Sequence, residues 1–329
     1  MTFLSAYLLF LAKAVTAIVA VAALVAVVIG LVARGKGGHA DDETLDIKYL
    51  NGELDDDKWA LEADILDKAD KKQHKKHPVK PEKGRPRLFV IDFDGDIDAS
   101  ETNGLRRQIT AIIQTADSSK DKVLLRLESP GGVVHGYGLA ASQLNRLKQA
   151  GIELIVAVDK VAASGGYMMA SVADKIIAAP FAVLGSIGVI AQVPNIHRLL
   201  KEKNVDVELH TAGKYKRTLT LLGENTDEGR EKFKEELQDV HELFKLHINT
   251  YRPSIDIDSV ATGETWYGQQ AISNHLIDGI QTSDDFIVDA VKSMDVYSLS
   301  VEHKQGLIER LKDQFMHKSK AQINNKYFL

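Results

Sequence analysis

The chain contains no cysteine in its 329 residues. That absence excludes disulfides, thiolate zinc sites and a cysteine nucleophile together, so covalent catalysis would have to use serine, threonine, lysine or a carboxylate. An excess of positive charge is missing as well: 41 lysines and arginines stand against 46 acidic residues, for a formal net charge of -5. There is no globally basic surface of the kind nucleic acid needs, and no nucleic-acid partner is expected. The length suits one large domain with appendages or two small domains.

What the N-terminus does have is an apolar run. Ala14 to Ala33 reads AVTAIVAVAALVAVVIGLVA without a charge, and about 20 such residues span a bilayer core. A cleavable signal peptide has a shorter apolar region ending in a small-residue cleavage site. Here the run is long and RGKGG follows it, so residues 1–34 are expected to form a retained single-pass anchor in contact with membrane lipid. Lys13 on one side and Arg34, Lys36 and Lys48 on the other do not favour export of the following part. Residues 35–86 carry an acidic tract and then a basic one, DKADKKQHKKHPVKPEKGRP, and read as a solvated, partly helical linker.

From Arg87 the pattern changes. RLFVIDFDG, KVLLRLES and IELIVAVDK are apolar strand-like runs, while NGLRRQITAIIQTA and GYGLAASQLNRLKQAG have helical spacing between them. Short strands are expected in DKIIAAP, VLGSIGVIAQ and VDVELH, and a helix near NIHRLLKEKN. This alternation predicts an α/β domain with parallel strands over residues 87–295, followed by a tail over 296–329. A long amphipathic helix is expected in TDEGREKFKEELQDVHELFKLHINTYR, with Phe233, Leu237, Val240, Phe244, Ile248 and Tyr251 on one stripe. High hydropathy between Val161 and Val193 suggests a second span, but Asp174 and Lys175 sit in its middle and a buried globular segment is the better reading.

Three glycine-rich junctions follow strands: SPGG at Ser129 to Gly132, SGG at Ser164 to Gly166, and GSIG at Gly185 to Gly188. Each alone is a turn signal, and Ser164 alone reads as a helix cap. Together they place a serine at a helix start opposite a second loop of free amides, the layout of an acyl-transfer site. Amides of Gly165 and of Gly131 or Gly132 could converge on one oxyanion. A serine also needs a base. Among His135, His197, His210, His241, His247, His275 and His303, only His135 lies beside such a junction; Lys214 and Lys216 of GKYK are the other candidates.

The set RLESPGGVVHGYGLAASQL, VDKVAASGGYMMASVADKI, GSIGVIAQ, TAGKYKRTLTLLGENT and TGETWYGQQAISNHLIDGI closely resembles the membrane-anchored signal-peptide-peptidase family, in particular its SohB branch. The resemblance implies a ClpP/crotonase-like fold behind an N-terminal transmembrane helix. It implies a Ser-Lys dyad endopeptidase that acts on signal peptides or other membrane and periplasmic polypeptides, without a cofactor or metal. Matched position by position, the nucleophile falls on Ser164, the general base on Lys216 and the serine that orients the lysine on Ser186. The family also implies the bacterial inner membrane and a periplasmic catalytic domain; unlike longer members this chain carries one catalytic half, so a complete site comes from one copy or from neighbouring subunits, and a homo-oligomer is expected. Two other readings stand beside it: a catalytically silent membrane scaffold of the same fold, and a crotonase-type acyl-CoA enzyme, which would not need both serine and lysine.

Overall fold

The computed structural model describes residues 7–13, 15, 16, 19, 20, 43–62, 65 and 79–303. Most of the expected anchor, Ala14 to Ala33, lies outside the described residues. Among those described, no helix is long and apolar enough to cross a membrane. The chain divides into two units, Met1–Thr44 with Glu302–Leu329, and Leu45–Val301. Residues 7–13 of the first are helical; everything below concerns the second.

Its order is β1 (Glu43–Tyr49), α1 (Leu50–Glu62), β2 (Arg87–Asp94), α2 (Thr102–Thr115), β3 (Lys122–Glu128), α3 (Val134–Gln149), β4 (Glu153–Val158), β5 (Val161–Ala163) and α4 (Gly165–Ala170). Then come β6 (Lys175–Ala178), β7 (Val183–Gly185), α5 (His197–Glu202), α6 (Asp227–Tyr251), α7 (Ile257–Val260) and β8 (Thr265–Tyr267). The chain continues through α8 (Gly268–Ala271), β9 (Gly279–Ile280), α9 (Ser283–Ala290) and β10 (Asp295–His303). A seven-stranded sheet has the order β1-β10-β2-β3-β4-β6-β9, and β5-β7-β8 form a small second sheet. From β10 to β9 the large sheet is parallel; in the small one β5 and β7 run parallel and β8 antiparallel. The α/β expectation holds.

The central strands read as continuous apolar runs because both faces of the sheet are covered. Alternation sorts their side chains. Leu88, Val90, Leu124, Ile155, Ala157 and Ile177 pack on one face with Ile287 and Ala290 of α9. Phe89, Ile91, Val123, Leu125, Leu154 and Val156 face the other way, toward residues of α2, α3, α4 and α6. The segment from Val161 to Val193, apolar enough to suggest a span, holds buried α4 and β6, and Asp174 takes the amide of Leu154 at 2.9 Å and Lys148 at 2.7 Å.

Three local expectations are corrected. VDVELH forms no strand, and VLGSIGVIAQ supplies only β7; apolar alternation there has no neighbouring edge to pair with. The long helix forms, but within its stripe only Phe244 and Ile248 are fully buried, so the N-terminal half lies over little core. The folded unit is also wider than residues 87–295. β1 and α1 come from the expected linker and β10 from the expected tail.

Asn51 joins these added pieces. It is 6% exposed; its Nδ2 donates to the carbonyls of Val291 at 3.2 Å and Met294 at 2.9 Å, and Val296 N donates to Oδ1 at 2.7 Å. Asn51→Ala leaves those buried groups unpaired and should lower unfolding free energy by about 1–3 kcal/mol. A denaturant midpoint equal to wild type would show that β1 and α1 contribute nothing to the folded unit.

Candidate active site

Two loops meet where β3 passes into the small sheet. Ser129, the first residue beyond β3, bridges Ala162 of β5 in parallel: its N–H donates to Val161 O at 2.8 Å, and Ala163 N donates to Ser129 O at 3.0 Å. This brings SPGG alongside the SGG junction. A Cβ placed on Gly131 would lie 2.6 Å from Ser164 Cβ and 2.9 Å from Gly165 N, so only glycine allows the approach. Gly131 also has φ of +93°, which any side chain would strain.

Ser164 is the residue between β5 and α4. Its φ of 51° and ψ of -118° lie in a region that costs a non-glycine residue about 1–3 kcal/mol. A sharp, strained strand-to-helix turn of this sort lifts a serine hydroxyl clear of the backbone. The side chain makes no capping hydrogen bond, although Met168 N donates to Ser164 O at 2.9 Å. The cap reading of Ser164 is thereby removed.

Ser186 sits one position beyond the register pair Ala163↔Gly185, as Ser164 does on the neighbouring strand. Parallel strands lie about 4.8 Å apart, so the two serines leave the small sheet side by side. Ser164 N donates to Gly185 O at 2.8 Å, and Ser186 N donates to Glu264 O at 2.6 Å. Ser186 shares the positive φ of 51°.

The amides divide clearly. Gly131 N donates to Ser129 Oγ at 3.1 Å and is used up, whereas no hydrogen bond engages the amides of Gly132 and Gly165 among the described residues. Of the three glycines expected to bind an oxyanion, Gly132 and Gly165 keep a free donor. Val133 N is held by Ile97 O at 2.8 Å, so Gly132 lies between two anchored amides.

Beside Ser164 a recess of about 80 Å³ is lined by Val134, Met168, Ile190, Val240 and Phe244. The long helix therefore contributes a wall, which its amphipathic stripe did not reveal. Tyr137, also in the lining, is fully buried, with its ring against Gly165: a Cβ there would come within 2.4 Å of the ring. Gly165→Ala should accordingly cost about 1–3 kcal/mol through overpacking. Thermal unfolding at the wild-type temperature would show that the ring yields freely. Tyr137 and Ser129 escaped sequence reasoning because a tyrosine on a helix and a serine ending a strand carry no distinctive spacing.

Among the described residues no hydrogen bond links Lys216 to Ser164, and Lys216 does not line the recess beside Ser164. Lys216 is exposed, and among the described residues its side chain makes no hydrogen bond or ion pair. Lys214 differs: its Nζ lies 2.6 Å from Glu228 and 5.0 Å from the Tyr215 ring centre. The hydrogen bond it donates to the Glu228 carboxylate pushes its pKa up, which keeps it charged and unfit as a base. Of the histidines, His135 is exposed on α3. His247 contacts Met168 O through Nε2 at 3.0 Å, and burial lowers its pKa.

The comparisons agree with the motifs. The profile of Peptidase family S49 matches residues 146–297, and that of its N-terminal region matches residues 2–144. A "Probable protease SohB" of Haemophilus influenzae is 60% identical over 68% of this chain and 63% of its own length, so the chain spans somewhat less than two thirds of that relative. One from Buchnera aphidicola is 54% identical over 71% of this chain and 69% of its own length. A solved structure of a membrane-bound stomatin-specific protease with a substrate peptide covers 70% of this chain and 98% of its own at 13% identity and a TM-score of 0.44. With both family profiles placed along the chain and more than half of the aligned residues identical in such relatives, this chain belongs to peptidase family S49, among its SohB-like members.

Proposed function

We propose that the chain is a serine endopeptidase in which Ser164 attacks the peptide carbonyl, Lys216 accepts its proton and returns it to the leaving amine, and Ser186 holds the neutral amine. The amides of Gly132 and Gly165 stabilise the tetrahedral oxyanion. The observation that carries this reading is the strained, uncapped Ser164 flanked by two unengaged amides. The apolar recess beside it suits a small apolar side chain next to the scissile bond, as signal peptides and membrane segments offer. The fold is read as ClpP/crotonase-like.

Exposure of Lys216 favours the rival reading, a silent scaffold, unless another surface covers the amine. The segment between β7 and α6 supplies a reason for such cover. Ile190 is 92% exposed and Leu199 and Leu209 53% each, which is apolar surface suited to a second copy of the chain. The chain is accordingly read as a homo-oligomer, anchored through residues 14–33 in the bacterial inner membrane with the catalytic unit on the periplasmic side. Protease added to sealed spheroplasts should digest the unit after Arg87; full protection would place it in the cytoplasm.

The direct test is labelling by a fluorophosphonate, mapped by mass spectrometry. Wild type should be modified on Ser164 and Lys216→Ala should not. Absence of labelling in an oligomeric wild-type preparation would support the scaffold, and an acyl-CoA enzyme using loop amides alone would be equally unlabelled but would bind CoA thioesters.

A further inference from the structure

We infer that Tyr137 and Ser129 are positioning residues that hold both amides of the oxyanion pocket through one buried hydroxyl chain. The inference rests on the peptidase reading above and adds two residues to it. Tyr137 Oη lies 2.7 Å from the carbonyl of Asp96 and 2.6 Å from Ser129 Oγ, and Ser129 Oγ lies 3.1 Å from Gly131 N. The proton order follows from valence. A carbonyl only accepts, so the single phenolic proton goes to Asp96. The contact between the two hydroxyls is then made by the proton of Ser129, and its oxygen turns a lone pair to the Gly131 amide. The chain runs Gly131 N–H to Ser129, Ser129 O–H to Tyr137, Tyr137 O–H to the Asp96 carbonyl.

Among the described residues neither hydroxyl has another partner. Ser129 and Tyr137 are both 0% exposed, and a Cβ on Gly95 would fall 2.5 Å from each hydroxyl oxygen, so residue 95 has to be glycine. Burial also raises the Tyr137 pKa, which keeps its proton in place. Holding the Gly131 amide fixes the turn that aims Gly132 N–H, while the tyrosine ring rests on Gly165, the residue after the nucleophile. One side chain thus braces the two loops that must present their amides to a single oxygen. Displacing such a donor by a fraction of an ångström weakens it most in the transition state, where charge accumulates.

The test uses the full-length chain with fluorescein-labelled casein for turnover and a fluorophosphonate for the acylation step. Tyr137→Phe keeps the ring and removes the proton donor; Ser129→Ala removes the link to Gly131. Each should lower kcat roughly 10- to 100-fold with KM within about 2-fold, and should slow the maximal labelling rate by the same factor. The midpoint of the pH–rate profile should stay put, because neither hydroxyl titrates in the working range. The double variant should be no slower than the worse single, since the chain acts as one unit. If one single variant fails to fold, the other decides by the same kcat criterion. Wild-type kcat in Tyr137→Phe, a loss confined to KM, or multiplying losses in the double would overturn the inference. Ser164→Ala, assayed alongside, separates the cases: if it still cleaves, the peptidase reading itself has failed.

Discussion

Ser164→Ala is expected to abolish peptide hydrolysis and to leave the fold standing. Loss of the nucleophile removes the covalent step, and activity should fall to what bound water and the oxyanion amides supply, at least about 10³-fold below wild type. Stability should hardly change. The Ser164 hydroxyl makes no capping hydrogen bond, so the loss of about 1 kcal/mol usual for a removed cap does not apply. The backbone strain at φ of 51° is the same for serine and alanine. Ser164→Gly sharpens the result, because glycine adopts that conformation without penalty while paying some unfolded-state entropy. It should be as dead as Ser164→Ala and at least as stable in a denaturant titration. A glycine variant less stable than the alanine one would mean that the turn is not strained, and an alanine variant that still cleaves casein at the wild-type rate would remove Ser164 from the mechanism.

The same turn marks how far the sequence could be read. SGG after a buried apolar run announced a strand-to-helix junction, and the parallel strands around it followed from uninterrupted runs such as IELIVAV, which only a sheet covered on both faces can bury. Residues 43–49 escaped because the surrounding charge dominated; the alternation Leu45, Ile47, Tyr49 was present, but Ile47 remains 57% exposed on an edge strand, so it carries little burial signal. β10 was missed for a related reason. Asp295 and the serines of DVYSLSVEH look like a tail, yet Asp295 is buried with Tyr49 Oη 3.1 Å from its carboxylate. Which amides were free was beyond sequence altogether: Gly131 and Gly132 are equivalent in SPGG, and only the Ser129 hydroxyl, reached through folding of β3 onto β5, distinguishes them.

Lys216→Arg should be as inactive as Lys216→Ala, with turnover at least about 10²-fold below wild type, the usual worth of a general base. Arginine keeps the charge and approximate reach but does not lose its proton in the accessible range. To work as a base, the lysine amine must be held neutral, which calls for desolvation. Exposure in the single chain supplies no such desolvation. In the proposed homo-oligomer the cover comes from assembly over the apolar segment around Ile190, Leu199 and Leu209, and specific activity should then rise with protein concentration across the oligomer transition. The sign of the pH dependence follows: only the neutral amine accepts a proton, hence activity climbs with rising pH. Lys214→Arg is the internal control. Its ammonium is held charged by Glu228 at 2.6 Å on the surface, an arginine keeps that pair, and activity should stay within about 2-fold of wild type. Strong turnover by Lys216→Arg in the assembled state would remove the dyad and send the search for a base back to His135, the exposed histidine that follows the SPGG loop on α3.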